Sequence, residues 1–268
     1  MSRFRTATLW AASGLALLSS TFILTGCGVK NPPLQVGSSV SGNWAFTTAT
    51  PGMALNVGFM QGAYETVSAV ARLDGASCIS PTTDIVLSGS IDASNNMTLV
   101  SAPFSGTTLT LRGQLAANGQ AMTGTSWRFA GGGCGQMGAQ NVTATDYSAI
   151  SGTYSGDFTD TDGNTLPVSA LLEQTTQPNS DGQFTLSGTA QFPPNACFVQ
   201  QPTLTESQVT GSSLSMTYSD PGSKAVLTAV GTFNSSATLL KISAWSISGG
   251  NCSGDAGTGS LATANAVQ

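Results

Sequence analysis

The sequence contains no histidine, so imidazole metal ligands and histidine-dependent catalytic triads are excluded. Charged residues make up 8% of the chain, against about 25% in an average globular domain. The thirteen acidic residues outnumber the eight basic ones. This negative balance argues against nucleic acid and anionic lipid surfaces as partners. The polar surface must be built mainly from hydroxyl and amide side chains, and the chain has 35 serines and 35 threonines.

The N-terminus has the order of a secretory signal. Residues 1–8 contain two arginines and no acid, residues 9–24 are mainly apolar, and small residues then precede Cys27. The apolar stretch has 16 residues, fewer than the roughly 20 that a membrane-spanning helix needs. We therefore expect residues 1–26 to be a removable signal peptide, not a permanent anchor helix.

The four residues Leu24-Thr25-Gly26-Cys27 resemble the lipobox of bacterial lipoproteins, in which an aliphatic residue stands three positions before the cysteine and a small one directly before it. The resemblance implies that Cys27 is acylated, with palmitate or a similar chain, and becomes the mature N-terminus. Because Gly28 and not aspartate follows, it also implies the outer membrane of a Gram-negative cell, with the domains in the periplasm or at the cell surface. Residues 27–37 are expected to form the lipid-anchored tether.

An internal repeat organises the rest of the chain. The segments around Trp127 and Trp245 match at a shift of 118 residues. The matching pairs are Leu109 with Leu227, Thr110 with Thr228, Gly113 with Gly231, Gly131 with Gly249, Gly132 with Gly250 and Cys134 with Cys252. The mature chain therefore reads as two copies of one unit, and its Gly/Ser/Thr-rich tandem layout is similar to that of many bacterial envelope lipoproteins.

The shift changes towards the start of each copy. Cys78 corresponds to Cys197 at a shift of 119, whereas Trp44 corresponds to Tyr154 at a shift of 110. The second copy has therefore gained nine residues, which we expect in the hairpin around residues 157–165.

Apolar and polar residues alternate with a period of two in both copies, as in Leu109, Leu111 and Leu115, and turn signals separate these segments. The pattern predicts an all-β chain of two tandem antiparallel meander domains, over residues 38–147 and 148–264. Each domain has about eight strands, closed into a barrel or flattened into a sandwich. The expected strands of the first domain lie near residues 43–48, 54–61, 63–73, 84–92, 96–102, 107–117, 121–130 and 139–145.

Four cysteines remain after Cys27, an even number that indicates two disulfides in an exported chain. Of the three possible connectivities, only Cys78–Cys134 with Cys197–Cys252 treats the two copies alike and closes each on itself. A metal-thiolate site is the alternative, but single, widely spaced cysteines without a CxxC motif do not favour it.

Asp157, Asp160 and Asp162 form a weak calcium candidate. An EF-hand loop needs a further ligand two positions before Asp160, where Phe158 stands, and a glutamate where Ser169 stands. The competing interpretation is a hairpin with an Asp-Gly turn. We predict no metal and no cofactor for this chain.

No acid–base constellation is visible in the sequence. The three glutamates fall on segments that do not match between the copies, and no SxxK motif occurs. We therefore predict that the protein is not an enzyme. Two carboxylates from different copies that met in a cleft between the domains would reverse this prediction.

Four aromatic residues are candidates for core plugs or for the lining of a ligand pocket: Trp44, Trp127, Tyr154 and Trp245. Gly42-Asn43-Trp44 is similar to the Gly-x-Trp that opens lipocalin and avidin-like barrels, which implies that the ring packs over one barrel end. An eight-stranded barrel is filled by its side chains or holds one small ligand.

Two functions follow from these expectations. The first is a lipid-anchored envelope lipoprotein with a non-enzymatic structural, adhesion or recognition role. The second is a lipocalin-like carrier with a pocket inside a barrel. The expected partners are the membrane, through the N-terminal lipid, and an envelope protein, a glycan or a small apolar ligand; nucleic acid is not expected.

Overall fold

The structure is a computed structural model of the 268-residue chain. It describes residues 39–49, 52–63, 65–193 and 197–263. The expected signal peptide and tether, with Cys27, lie outside the described residues. In the part of the chain that the structure describes, no helix has the length and apolar character that a membrane crossing requires.

The first half of the chain forms a closed antiparallel barrel. Its strands are β1 (Gly42–Thr47), β2 (Ala54–Gln61), β3 (Thr66–Asp74), β4 (Ile85–Ile91), β5 (Asn96–Ser101), β6 (Thr107–Leu115), β7 (Ala121–Gly131), β8 (Gly138–Gln140) and β9 (Thr143–Tyr147). Consecutive strands pair from β1 to β7. The barrel closes because β9 pairs with β1 and β7, while β8 pairs with the other half of β7. Together, β8 and β9 fill the eighth position.

The second half repeats this topology with eight uninterrupted strands. They are β10 (Ser151–Asp160), β11 (Thr165–Gln174), β12 (Phe184–Gln191), β13 (Thr203–Thr210), β14 (Ser213–Ser219), β15 (Val226–Phe233), β16 (Leu239–Ser248) and β17 (Ala256–Thr263). Pairing of β10 with β17 closes the barrel. The predicted all-β tandem fold is therefore confirmed, and the choice between barrel and sandwich is decided by the pairing of first and last strands.

The strand predicted over residues 139–145 differs from the structure, because it is divided into β8 and β9. Asn141 lies between them with φ 53, a left-handed conformation that interrupts a strand. The corresponding strand of the second barrel, β17, continues without a break.

Each barrel has its own core, and the two clusters of buried residues are separate. Inward-facing side chains on β2, β4, β5 and β6 of the first barrel have no accessible surface, so no water-sized space lies beside them. They include Leu55, Val57, Phe59, Leu87, Leu99, Leu109 and Leu111. In the second barrel Phe158, Tyr218, Leu227 and Leu240 are likewise fully buried. The period-two alternation of the sequence therefore produces filled barrels, close-packed like other protein interiors.

Disulfides join Cys78 to Cys134 and Cys197 to Cys252, the pairing that the repeat predicts. The Cα atoms are 5.2 Å apart in both pairs. Cys134 ends a short 3-10 helix, Gly132–Cys134, in the loop after β7. Both cysteines of the first pair are partly buried and pack against the first core. Closing a loop of this length stabilises a domain by about 4 kcal/mol.

The sequence comparison predicts all nine extra residues of the second copy in the first hairpin. The structure instead divides them between two connections. The strand registers place Trp44 on Tyr154 at a shift of 110, Val57 on Ala170 at 113, and Ala71 on Ala190 at 119. Three of the residues therefore lengthen the β10–β11 hairpin, and six lengthen the β11–β12 connection.

The longer β11–β12 connection packs against the first barrel. Gly182 lies against Val70 of β3, and the carbonyl oxygen of Gly182 and the ring of Pro178 lie against Gly58 of β2. A Cβ atom on Gly182 would come within 2.6 Å of the Val70 Cβ. The contact therefore requires glycine, which also accepts the φ of 73 at this position.

Two further contacts connect the barrels. The Asn43 side chain donates a hydrogen bond from Nδ2 to the Gly211 carbonyl (2.8 Å) and accepts one at Oδ1 from the Gly211 amide (2.7 Å). Tyr147, the last residue of β9, packs edge-on against Phe233 at a ring-centroid distance of 5.3 Å. Both barrels accordingly belong to one compact unit of the chain.

Candidate functional site

Trp44 and Trp127 are core residues of the first barrel, each 1% exposed. The Trp44 ring packs edge-on against Phe59 at 6.4 Å, and its Nε1 donates a hydrogen bond to the Val40 carbonyl (3.1 Å). Trp127 packs edge-on against Phe129 at 5.5 Å. These rings seal the core with their neighbours.

Tyr154 and Trp245 take the same roles in the second barrel. The Tyr154 hydroxyl donates a hydrogen bond to the Ala237 carbonyl (2.6 Å), and burial raises the pKa of this hydroxyl. Trp245 stacks on Phe158 at 5.8 Å, and its Nε1 donates to the Thr258 carbonyl (3.0 Å).

The two indoles that the repeat equates, Trp127 and Trp245, differ in one contact. The Trp127 Nε1 is buried without a hydrogen-bond acceptor. The Trp245 acceptor, Thr258, lies on the uninterrupted β17, whereas its counterpart Gln140 ends β8 where the eighth strand of the first barrel is broken. We infer that the break at Asn141 removes the acceptor.

The three aspartates of the calcium candidate lie at the β10–β11 hairpin. One oxygen of the Asp160 carboxylate accepts hydrogen bonds from the backbone amides of Asp162 (2.9 Å) and Asn164 (2.8 Å). The side-chain amide of Asn164 donates to the other oxygen, and these bonds lower the pKa of Asp160. Asp92 accepts the same set of bonds in the first barrel. The Asp160 carboxylate therefore closes the turn, and Asp157 lies outside this arrangement on β10.

One group of possible metal ligands occurs among the described residues: Cys197, Cys252 and Asp255. The two sulfur atoms are joined in a disulfide. The group therefore offers a single carboxylate and no thiolate.

A cleft of about 210 Å³ lies between the two barrels. Asp74 is the one carboxylate among the described residues that line it, and the second barrel contributes amides and hydroxyls, including Gln183 and Gln208. Burial raises the pKa of Asp74, although the hydrogen bond from Asn56 Nδ2 (2.7 Å) and the charge of Arg72 oppose this shift. The cleft does not bring together carboxylates from the two copies.

Asp220, between β14 and β15, is fully buried. Its carboxylate accepts hydrogen bonds from the backbone amides of Val199 (2.6 Å), Gln200 (3.2 Å) and Gly222 (2.8 Å) and from the Ser223 hydroxyl (2.8 Å). Burial alone would raise the pKa of Asp220, but these bonds outweigh it and hold the pKa at about 2. Because the bonds tie the segment after Cys197 to the β14–β15 turn, we assign Asp220 a structural role.

A cavity of about 390 Å³ opens on the outer face of the first barrel. Its walls include Arg112 on β6 and Arg128 on β7, and none of the described residues that line it is acidic. Neither arginine belongs to a motif that predicts a site from the sequence. The signal available in the sequence was the difference between the copies, which place Val230 and Ser246 at the matching positions.

A third cavity, of about 580 Å³, opens beside Glu173 at the β11–β12 hairpin. Exposed polar side chains line all three cavities, which are therefore open to the surface: Arg112 and Arg128 in the first, Ser213 and its neighbours in the second, and Glu173 in the third. No protein-family model and no curated protein matches this chain.

Proposed function

We propose that this chain is a lipid-anchored lipoprotein of the bacterial outer membrane with a non-enzymatic recognition or structural role. The sequence Leu24-Thr25-Gly26-Cys27 after an apolar segment supports the anchor. Each buried acyl methylene contributes about 0.8 kcal/mol, so several chains on Cys27 would hold the protein at the membrane.

The filled interior of both barrels is the observation that carries the recognition role. Trp44 and Trp127, the candidate pocket residues of the first barrel, are buried and pack against other core residues. A partner must therefore bind the outer surface, and we favour recognition over a carrier for this reason. An envelope protein or a glycan fits this mode of binding.

The contacts between the barrels also support recognition. The Asn43–Gly211 hydrogen bonds and the Gly182–Val70 contact hold two outer surfaces in a fixed arrangement. Two linked binding surfaces raise the apparent affinity for a partner that can reach both.

Mass spectrometry of the native protein tests the proposal. We expect a chain that begins at an acylated Cys27 and carries no stoichiometric small apolar ligand. The variant Cys27→Ala is expected to lose the acyl groups and to leave the membrane fraction. A mature chain that retains Met1 would refute the anchor, and a stoichiometric apolar ligand would favour the carrier.

A further inference from the structure

Two arginines lie side by side on the outer face of the first barrel. The register of β6 and β7 pairs Thr110 with Arg128 and Arg112 with Ser126. Arg112 and Arg128 are therefore diagonal neighbours, and such positions are about 7–8 Å apart across an antiparallel pair. Within the described ranges the one ion pair is Arg72–Asp84. Arg112 and Arg128 therefore have no acidic partner at ion-pair distance among the described residues.

The groove around these arginines is built from hydrogen-bonding groups. Its other polar walls are Thr110, Ser126, Gln136 and Gln140. The Arg128 guanidinium donates a hydrogen bond to the Gln136 side-chain oxygen, which lines the same groove. On the far side, Arg112 pairs with Thr98 of β5, so the hydroxyl-rich face continues across the barrel. The groove offers two cations surrounded by amides and hydroxyls.

The second barrel shows that the fold does not need this charge. The positions of Arg112 and Arg128 are taken there by Val230 and Ser246. The hydroxyl of Ser246 forms a hydrogen bond with that of Thr228 (3.0 Å), and Val230 is exposed. The same part of the barrel thus forms without cations. Since neighbouring like charges are unfavourable, the arginine pair is better explained by a ligand than by stability.

We propose that this groove binds the oxyanion of an anionic carbohydrate, a carboxylate or phosphate group carried by a sugar. Guanidinium groups match the geometry of both oxyanions and bind them through paired hydrogen bonds. The amides and hydroxyls around Arg112 and Arg128 match the donors and acceptors of sugar hydroxyls. A volume of about 390 Å³ falls within the range of small-ligand sites. This inference deepens the recognition role proposed above and rests on it.

Titration of the full-length protein in detergent, followed by NMR, tests the inference with three probes: glucuronate, glucose 6-phosphate and glucose. We expect saturable binding of at least one anionic sugar at millimolar concentration, and at least tenfold weaker binding of glucose. Binding of glucuronate alone would identify the oxyanion as a carboxylate, and binding of glucose 6-phosphate alone as a phosphate.

Two double variants complete the test. Arg112→Gln with Arg128→Gln is expected to weaken binding of the anionic sugar at least tenfold without changing the unfolding temperature, because both side chains are exposed. Lys224→Gln with Lys241→Gln removes the same charge from the second barrel and should leave binding unchanged. The inference is overturned if neither anionic sugar binds, if glucose binds equally well, or if the lysine variant weakens binding to the same extent. Acylation of Cys27, measured on the same sample, separates a failure of the groove from a failure of the anchor.

Discussion

Replacement of Asp220 by asparagine removes one buried charge and keeps the shape of the side chain. The carboxylate accepts four hydrogen bonds, three of them from backbone amides. An asparagine must direct its NH₂ group at one or more of these donors. Hydrogen bonds to a charged group contribute about 1.5–3 kcal/mol each, and a buried donor left without a partner costs about 1–3 kcal/mol. We therefore expect Asp220→Asn to lower the free energy of unfolding by about 3 kcal/mol at pH 7.

Urea unfolding measures this loss, and thermal unfolding should show a decrease of about 10 °C in the melting temperature. The matched control is Asp162→Asn, since Asp162 is exposed in the β10–β11 turn. An exposed substitution of this kind changes stability by less than about 0.5 kcal/mol.

The effect of Asp220 must also depend on pH. Its pKa is about 2 in the folded protein, below the ordinary value of 3.8. A carboxyl group whose pKa is lowered by folding stabilises the protein above its unfolded pKa, and this contribution is lost as the pH falls through the folded pKa. The stability difference between the wild type and Asp220→Asn should therefore be constant above pH 5 and shrink between about pH 4 and pH 2.

Two results would refute this reasoning. The first is an Asp220→Asn variant whose free energy of unfolding lies within about 1 kcal/mol of the wild type at pH 7. The loss of hydrogen bonds to a buried carboxylate should lower the free energy of unfolding by more than this. The second is a difference that stays the same from pH 5 to pH 2, which would mean that the carboxylate is not the source of the stability.

The remaining predictions concern the barrel contact and the two indoles. Gly182→Val should split the unfolding of the two barrels into separate calorimetric transitions, because a Cβ there meets the first barrel at 2.6 Å. Gly163→Val, which has a similar φ but nothing within 4 Å of its Cβ, should keep them together. Trp245→Phe should destabilise the protein by about 1 kcal/mol more than Trp127→Phe in urea unfolding, because only Trp245 loses a hydrogen bond, to Thr258. A larger loss at Trp127 would contradict this explanation.

The repeat and the period-two alternation were sufficient to predict the fold class. Residues such as Leu109 and Leu111 must face the core because alternate side chains of a strand point to opposite faces. Duplication then restricts the cysteines to one symmetrical pairing, which the structure forms. These predictions succeed because they depend on local periodicity and on comparison of the copies.

The position of the inserted residues could not be read from the sequence, because the copies are too dissimilar between Trp44 and Cys78 to align. Strand registers divide the insertion between two hairpins. The larger part lengthens the β11–β12 connection, where Gly182 contacts the first barrel. The contact between the barrels could therefore not be predicted from the sequence, because it depends on where the inserted residues lie.

The sequence also could not predict that the two arginines of the groove lie on the same face of the barrel. Arg112 and Arg128 both fall on polar positions of their strands, but a hairpin that turned evenly at Asn118-Gly119 would place Arg128 on the opposite face from Arg112. A register shift after Arg112, with Gly124 at φ 58, returns both arginines to the outer face.

The sequence by itself determined the alternation of apolar and polar residues, the duplication of the domain and the correspondence of the cysteines. These properties follow from short stretches of the chain and from the comparison of the two copies. The tertiary structure decided that each sheet closes on itself, that the interior is filled and that two arginines meet on one outer face. Those properties depend on the register between strands, which shifts by one residue at each bulge, and on contacts between residues distant in the chain.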